Sequence, residues 1–269
     1  MEKLISNYHT HTYRCGHALP NPDIDYVNKA IELGYKNLGF SDHAPLKGIH
    51  HPSMRMDFEK DFPGYISSIR SLEEEFKGKI NIKLGLEIEY YSDRDDYYKE
   101  LLNDYHLDYL ILGQHLRYDS NGDMDLYWRH IDDFEGIRRY VDDLILGINS
   151  GHFTYVCHPD LFLNHVKSLT PEVLKMFEDI CLAAKKMNLP LEININGDTN
   201  NKYWALKHGC YHYPSVEFFK VAKKIGNRFI FGVDAHAPWD FDKINYPYFD
   251  EFLKETGITS RDILTELSF

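Results

Sequence analysis

Short apolar runs alternate along the whole chain with longer stretches whose apolar residues recur at helical spacing. Runs at Leu4–Tyr8, Asn37–Phe40, Ile80–Leu86, Tyr109–Leu112, Thr154–Cys157, Leu191–Ile195 and Phe229–Gly232 lack regular polar alternation. That pattern predicts strands covered on both faces, as in a parallel sheet. Between them, Ile24, Val27 and Ile31 form one stripe ending at Gly34, and Tyr65, Ile69, Leu72 and Phe76 form another ending before Gly78. Both ends read as helix C-caps. Further stripes are Tyr97, Leu101 and Tyr105; Phe134 through Ile148; and Val173 through Met187, the last opened by Thr170 as N-cap with Pro171 at the first helical position. Ser215 is expected to cap a sixth helix reaching Ile225, and Ile263, Leu264 and Leu267 suggest a seventh.

Strand–helix alternation implies a parallel sheet with right-handed crossovers, either open or closed into a barrel. His-Thr-His-Thr follows the first strand where a dinucleotide-binding fold would place G-x-G-x-x-G, which disfavours that fold. No internal repeat or Pro/Ser-rich linker interrupts the rhythm, so a single domain over 1–269 is expected. Asp42–Phe62 and Asn196–Pro214 are too long for ordinary connections and read as loops over one face.

Composition narrows the function. With 42 acidic against 30 basic residues the formal charge is −12, unsuited to a protein that holds nucleic acid by its phosphates. No signal-peptide pattern opens the chain, and no apolar run approaches the roughly 20 residues of a membrane span, so a soluble, cytoplasmic protein without membrane partner is expected. Cys15, Cys157, Cys181 and Cys210 are scattered singly, as in reduced cytosolic proteins, and read as packing residues. The 15 histidines are the conspicuous excess.

Many of those histidines fall where strands stop. Strand one runs into His9 and His11, strand two into Asp42 and His43, strand three into Glu87 and strand four into His115. Strand five runs into His158 and Asp160, and strand seven into Asp234 and His236. In a parallel barrel all these positions lie on the C-terminal face, where such folds build their sites. Residues two apart in extended chain share a face, so His9 and His11 can bind one ion. Imidazole with carboxylate suits Zn, Mn or Fe better than Mg. Strand six leads to Asn194 and Asn196, poor metal ligands that are candidates for substrate contact.

His9-x-His11, His17, Ser41-Asp42-His43, Gly85-Leu86-Glu87, Gly113-Gln114-His115, Cys157-His158-Pro159-Asp160 and Asp234-Ala235-His236 together resemble the polymerase and histidinol phosphatase (PHP) family, specifically its histidinol-phosphate phosphatase branch. The resemblance runs from residue 9 to residue 236 and implies a distorted (β/α)7 TIM-like barrel with a trinuclear metal site. It implies that His9, His11, Glu87 and Asp234 hold one ion, that Glu87 bridges to a second held by His115 and His158, and that His17, His43 and His236 hold a third.

The activity so implied is hydrolysis of a phosphate monoester, L-histidinol phosphate, by in-line attack of a metal-activated hydroxide. Arg117 is expected to contact the phosphate, since a guanidinium matches its oxygens. Asp42 is expected to protonate the leaving oxygen, with orientation of an imidazole as the alternative. Asp160 could pair with the substrate ammonium or fix its own loop. Tyr203, Trp204, Tyr211, Tyr213 and Trp239 could enclose the imidazole. His106, His130, His152, His165 and His208 are read as ordinary surface or hydrogen-bonded histidines, and no role is expected of His50, His51 or His212. Competing readings are a PHP phosphoesterase acting on nucleotides, a structural metal module and an amidohydrolase. The chain lacks a basic, aromatic-laced track for the first, the closed four-ligand set of the second and the strand-four lysine of the third.

Overall fold

The structure, a computed structural model, describes residues 1–49, 51, 53–118, 124–127, 134–198 and 202–269. Eight parallel strands form one curled sheet: β1 (Ser6–Asn7), β2 (Asn37–His43), β3 (Asn81–Ile88), β4 (Tyr109–Leu112), β7 (Tyr155–Val156), β8 (Leu191–Asn194), β9 (Phe229–Gly232) and β10 (Ile263–Leu264). They lie side by side in chain order. A small antiparallel hairpin, β5 (Leu116–Tyr118) with β6 (Met124–Leu126), follows β4. The helices are α1 (Asp23–Leu33), α2 (Phe62–Glu75), α3 (Asp95–Asn103), α4 (Phe134–Ser150), α5 (Pro171–Lys186), α6 (Lys202–Lys207), α7 (Val216–Ile225) and α8 (Tyr246–Thr256). This is the expected α/β fold, a distorted TIM-like barrel. No described helix is long and apolar enough to cross a membrane.

Local signals explain most boundaries. Thr170 Oγ1 accepts from Val173 N at 3.4 Å and Ser215 Oγ from Phe218 N at 3.3 Å, each starting its helix as the sequence predicts. Helix α1 ends where Gly34 takes φ 86°, a left-handed conformation that glycine adopts freely. Two expectations need correction. Ile263 and Leu264 form a strand paired with Phe229 and Ile230, not a helix. The missed helix is α8, which Asn245 caps by accepting from Tyr248 N. The Asn196–Pro214 segment also contains α6 rather than being loop throughout.

The sheet is not fully closed by strands. Beyond β1 and β9, a single parallel bridge joins Thr10 to Ala235, with His11 N donating to Ala235 O at 2.8 Å and Ala235 N to His9 O at 3.2 Å. At the opposite end, β10 lies against β9, and Leu267 N reaches Tyr8 Oη.

Alternation along each strand separates two environments. Leu84, Leu86, Leu110, Leu112, Leu191 and Ile193 belong to the main buried core with the helices. Tyr8, Tyr109, Ile111, Tyr155, Cys157 and Ile230 form a separate buried cluster. Tyr109 Oη ties this floor together by donating to Tyr8 O at 2.7 Å and Phe40 O at 3.1 Å. The inward positions above it carry the chemistry.

Candidate metal centre

Register sets the centre of the site. Seven residues of β2 pair with β3, ending with His43 beside Glu87. Glu87 is 1% exposed and five imidazoles converge on it. Its Oε2 lies 3.4 Å from His9 Nε2, 3.4 Å from His11 Nε2 and 3.1 Å from His43 Nδ1. Its Oε1 lies 2.8 Å from His158 Nε2 and 3.5 Å from His115 Nε2. Asp234 Oδ1 stands 3.2 Å from His11 Nε2 and 3.5 Å from His9 Nε2. At the outer edge, His236 Nε2 faces His17 Nε2 at 2.9 Å, and His17, His43 and His236 form a cluster with ligand-type spacing.

These contacts suit cations better than hydrogen bonds. His9 Nε2 and His11 Nε2 face each other at 3.1 Å, although one proton at most can lie between two neutral imidazole nitrogens. Glu87 Oε2 is buried without a hydrogen bond despite its three nearby nitrogens. Divalent ions satisfy such convergent lone pairs. The residues therefore fit the metal-binding role, with clusters around His9–His11–Asp234, His11–His43–Glu87 and His17–His43–His236 among the described residues.

Charge balance points the same way. Burial opposes a charge on His9, but Glu192, Asp234 and Glu87 outweigh it and push its pKa up to about 10. Burial and the charge of His11 push His236 down to about 3, leaving a bare nitrogen. Burial likewise works against ionised Glu87 and Asp234, yet the surrounding imidazoles hold both well below the usual carboxylate range. The site is thus built around negative charge that requires positive charge in its midst.

The backbone is bent to present these ligands. His158 and Asp234 adopt positive φ, 28° and 53°, without being glycine. Such conformations cost about 1–3 kcal/mol each and persist where surrounding contacts impose them. A Cβ on Gly113 would overlap Glu87 Oε1 and lie 2.8 Å from Cys157 Sγ, so only glycine lets that carboxylate seat. Cys157 is more than packing, because its thiol donates to Glu87 Oε1 at 3.0 Å.

Other expected site residues occupy supporting positions. Asp42 is 0% exposed, its Oδ2 accepts from Thr12 Oγ1, and its Oδ1 lies 3.6 Å from His11 Nδ1. It sits behind His11 and is not among the described residues lining the cavity. Asp160 is buried and accepts from Ser215 N at 2.6 Å, fixing its loop to the start of α7. Asn194 Nδ2 donates to Glu192 Oε2 at 2.8 Å and Asp234 Oδ2 at 3.2 Å, so it braces ligands from within. Neither Asp160 nor Asn194 lines the cavity. Arg117, in the β5–β6 hairpin opposite Asp125, is not among the described residues lining it either. Neighbouring Leu116 packs into a small apolar cluster with Met54 and Leu126.

Sequence reasoning missed Glu192. It is 0% exposed, accepts from His9 Nδ1 at 2.8 Å and from His158 N at 2.9 Å, and lies at an inward position of β8. A lone carboxylate inside the apolar run Leu191–Ile195 was the available signal. His165, read as ordinary, lines the cavity together with Tyr213. Tyr203 is exposed, Trp239 half-exposed and Tyr211 packed on the core, none of them lining it. His152 Nε2 lies 2.6 Å from Asp95 Oδ1, and His50, His130 and the Trp204 side chain lie outside the described residues.

The ligand cluster opens into a cavity of about 620 Å³ walled by Met54, Tyr127, Tyr140, Leu161, Phe162 and Tyr213. No Lys or Arg lines it among the described residues.

The PHP domain family model matches residues 7–196. The chain is similar to a protein of Deinococcus radiodurans named as a probable histidinol-phosphatase, 28% identical over 239 residues and 87% of each chain. It is also similar to the histidinol-phosphatase of Bacillus subtilis, 32% identical over 120 residues, which are 42% of this chain and 45% of that one. The crystal structure of a histidinol phosphate phosphatase from Lactococcus lactis, complexed with zinc, L-histidinol and phosphate, shares the fold at TM-score 0.69 and 20% identity, covering 98% of each chain.

Proposed function

The chain belongs to the PHP domain family, and from that membership we propose that it is a metal-dependent phosphomonoesterase converting L-histidinol phosphate to L-histidinol and phosphate, a step of histidine biosynthesis, in the cytoplasm. The observation that carries the reading is the convergence of five imidazoles on the buried Glu87 at the base of a cavity of about 620 Å³, a size suited to a small ester. The names of its relatives from Deinococcus radiodurans and Bacillus subtilis support the substrate.

His9, His11, Glu87 and Asp234 would hold one divalent ion, Glu87 with His115 and His158 a second, and His17, His43 and His236 a third, the metal being zinc, manganese or iron. Such ions supply a hydroxide nucleophile at neutral pH and offset charge on the phosphoryl group. The protein's own part is orientation. Glu192 holds the proton of His9 on Nδ1, so that Nε2 points at Glu87. Asp42, held by Thr12 through its other oxygen, stands behind His11 with Oδ1 3.6 Å from Nδ1, an electrostatic rather than a hydrogen-bonded contact. Asn194 and Asn196 fix Asp234 through its Oδ2 at 3.2 and 3.1 Å. With no Lys or Arg on the cavity wall among the described residues, the phosphate's charge is met by the ligand cluster and its ions. Its partner is thus a small phosphate ester and not a polynucleotide.

The test is phosphate release from L-histidinol phosphate, lost on chelation and restored by divalent metal. Faster cleavage of a nucleotide diester in the same panel would overturn the substrate assignment. One ion or fewer per chain after metal-replete purification would overturn the three-ion centre.

A further inference from the structure

The barrel holds a buried ion pair outside the ligand set. Arg55 is 3% exposed and Glu89 1%. Arg55 Nη2 donates to Glu89 Oε1 and Oε2, each at 2.9 Å, and Nη1 donates to Ala44 O at 2.6 Å. Both partners stand beside ligands: Ala44 follows His43, and Glu89 lies two residues beyond Glu87 with its Oε1 3.7 Å from His115 Nδ1. Met56, next to Arg55, donates its N–H to His43 O at 3.4 Å, and Met54 on the other side lines the cavity. One guanidinium thus joins the segment after β2 to the backbone beside His43 and to the carboxylate beside His115.

Stability alone does not account for this pair. Taking two charges out of water is expensive, and their attraction repays it only where the remaining donors are satisfied. Arg55 Nε is buried with no hydrogen-bond partner. Apolar residues of similar volume often replace such a pair without loss of stability. What they cannot replace is direction, because a bidentate fork fixes the plane and place of a carboxylate. A carboxylate beside one nitrogen of a metal-binding imidazole orients the ring and leaves the other nitrogen for the metal. The other nitrogen of His115, Nε2, faces Glu87 Oε1 at 3.5 Å.

We propose that Arg55 and Glu89 are a positioning pair that couples the second and third ligand groups, Glu89 directing the His115 ring at Glu87 while Arg55 holds both Glu89 and the backbone beside His43. The assignment rests on the metal-centre reading of the ligand cluster and deepens it. The two rings so governed are neighbours, with the His43 and His115 centroids 4.9 Å apart. In the first group, His9 is held by Glu192, and Asp234 by Asn194 and Asn196. Loss of the pair therefore bears on two groups and spares the first.

Zinc affinity of the full chain, measured by competition with a chelator, tests this in the double variant Arg55→Met with Glu89→Leu and in Arg55→Lys. The double variant removes both charges, so no unpaired ion is left buried and its metal-free Tm should stay close to the parent's. Arg55→Lys keeps the charge but has no fork to hold Ala44 O and both Glu89 oxygens together. In each variant two of the three zinc ions should bind about ten-fold or more weakly than in the parent, while the third keeps its affinity. Every zinc affinity within about two-fold of the parent overturns the proposal, and a lowered metal-free Tm beside it assigns the pair a purely structural role. Equal weakening of all the ions overturns it as well. Arg55→Lys decides the matter if the double variant does not fold. A parent that binds a single zinc ion refutes the three-ion centre, and the variant-to-parent ratio for that ion then decides the pair, about ten-fold weakening sustaining it and unchanged affinity overturning it. A parent that binds no zinc overturns both.

Discussion

Glu192 Oε1 accepts a hydrogen bond from His9 Nδ1 at 2.8 Å, and both side chains are 0% exposed. A carboxylate only accepts, so Nδ1 keeps its proton, and Nε2, directed at Glu87 and Asp234, is the nitrogen that loses its proton to take up a cation. The second oxygen takes His158 N at 2.9 Å, where the backbone is left-handed. One carboxylate therefore sets a ring and a backbone bend in two adjoining ligand groups.

Glu192→Gln keeps the shape but offers His9 a donor, which favours the tautomer with its proton on Nε2. Metal affinity should fall about 10–100-fold, as for other partners of metal-bound histidine. Titration with a competing chelator measures this, and unchanged affinity in a folded variant would contradict the role.

Glu87→Ala removes both oxygens on which the imidazoles converge. Metal content should drop by two ions together, with activity reduced at least about 10³-fold, a loss of about 4 kcal/mol in transition-state stabilisation. Elemental analysis of the purified variant decides it, and near-normal activity would refute the assigned position.

Gly113→Ala tests the close approach of backbone to carboxylate. The added methyl overlaps Glu87 Oε1 and meets Cys157, both buried among rigid strands. Overpacking of this kind costs about 1–3 kcal/mol, to be read by denaturant titration, and displacement of Glu87 should weaken metal binding as well. A variant equal to the parent in both would show that the carboxylate can move aside.

Metal binding should weaken in acid. Although burial opposes it, carboxylates push His9 up to about 10 and His11 well above the ordinary range, so the metal-free site holds protons that an entering cation must expel. Lower pH favours those protons, so affinity falls as pH falls and rises as pH rises, with protons released on binding. Calorimetry in buffers of different ionisation enthalpy counts the protons. Net uptake, or affinity constant from about pH 6 to pH 8, would contradict the sign.

Most of the proposed ligands were legible because they sit at strand ends, where a short apolar run stops at His or an acid; His17, ten residues beyond β1, is the exception. Glu192 was harder to see because it interrupts an apolar run, and only the alternation of Leu191 and Ile193 toward the helices shows that Glu192 and Asn194 face inward. Ile263 and Leu264 misled because a two-residue strand has no period to read. Helix α8 was obscured by its aromatic opening, Tyr246-Pro247-Tyr248-Phe249. Arg117 has the right chemistry, but proximity in sequence to His115 does not fix where its side chain stands, and it lies in the β5–β6 hairpin outside the described cavity lining.

The bridge between Thr10 and Ala235 has a consequence for the order of assembly during synthesis. His9 and His11 emerge from the ribosome early, whereas Asp234 and His236 emerge more than 200 residues later. A nascent chain cannot bring together the His9–His11–Asp234 or the His17–His43–His236 cluster until that late segment arrives. Any ion captured earlier would be incompletely coordinated and free to exchange, so the finished barrel would select the metals retained, and on the proposed assignment those ions would act as a clasp across its seam.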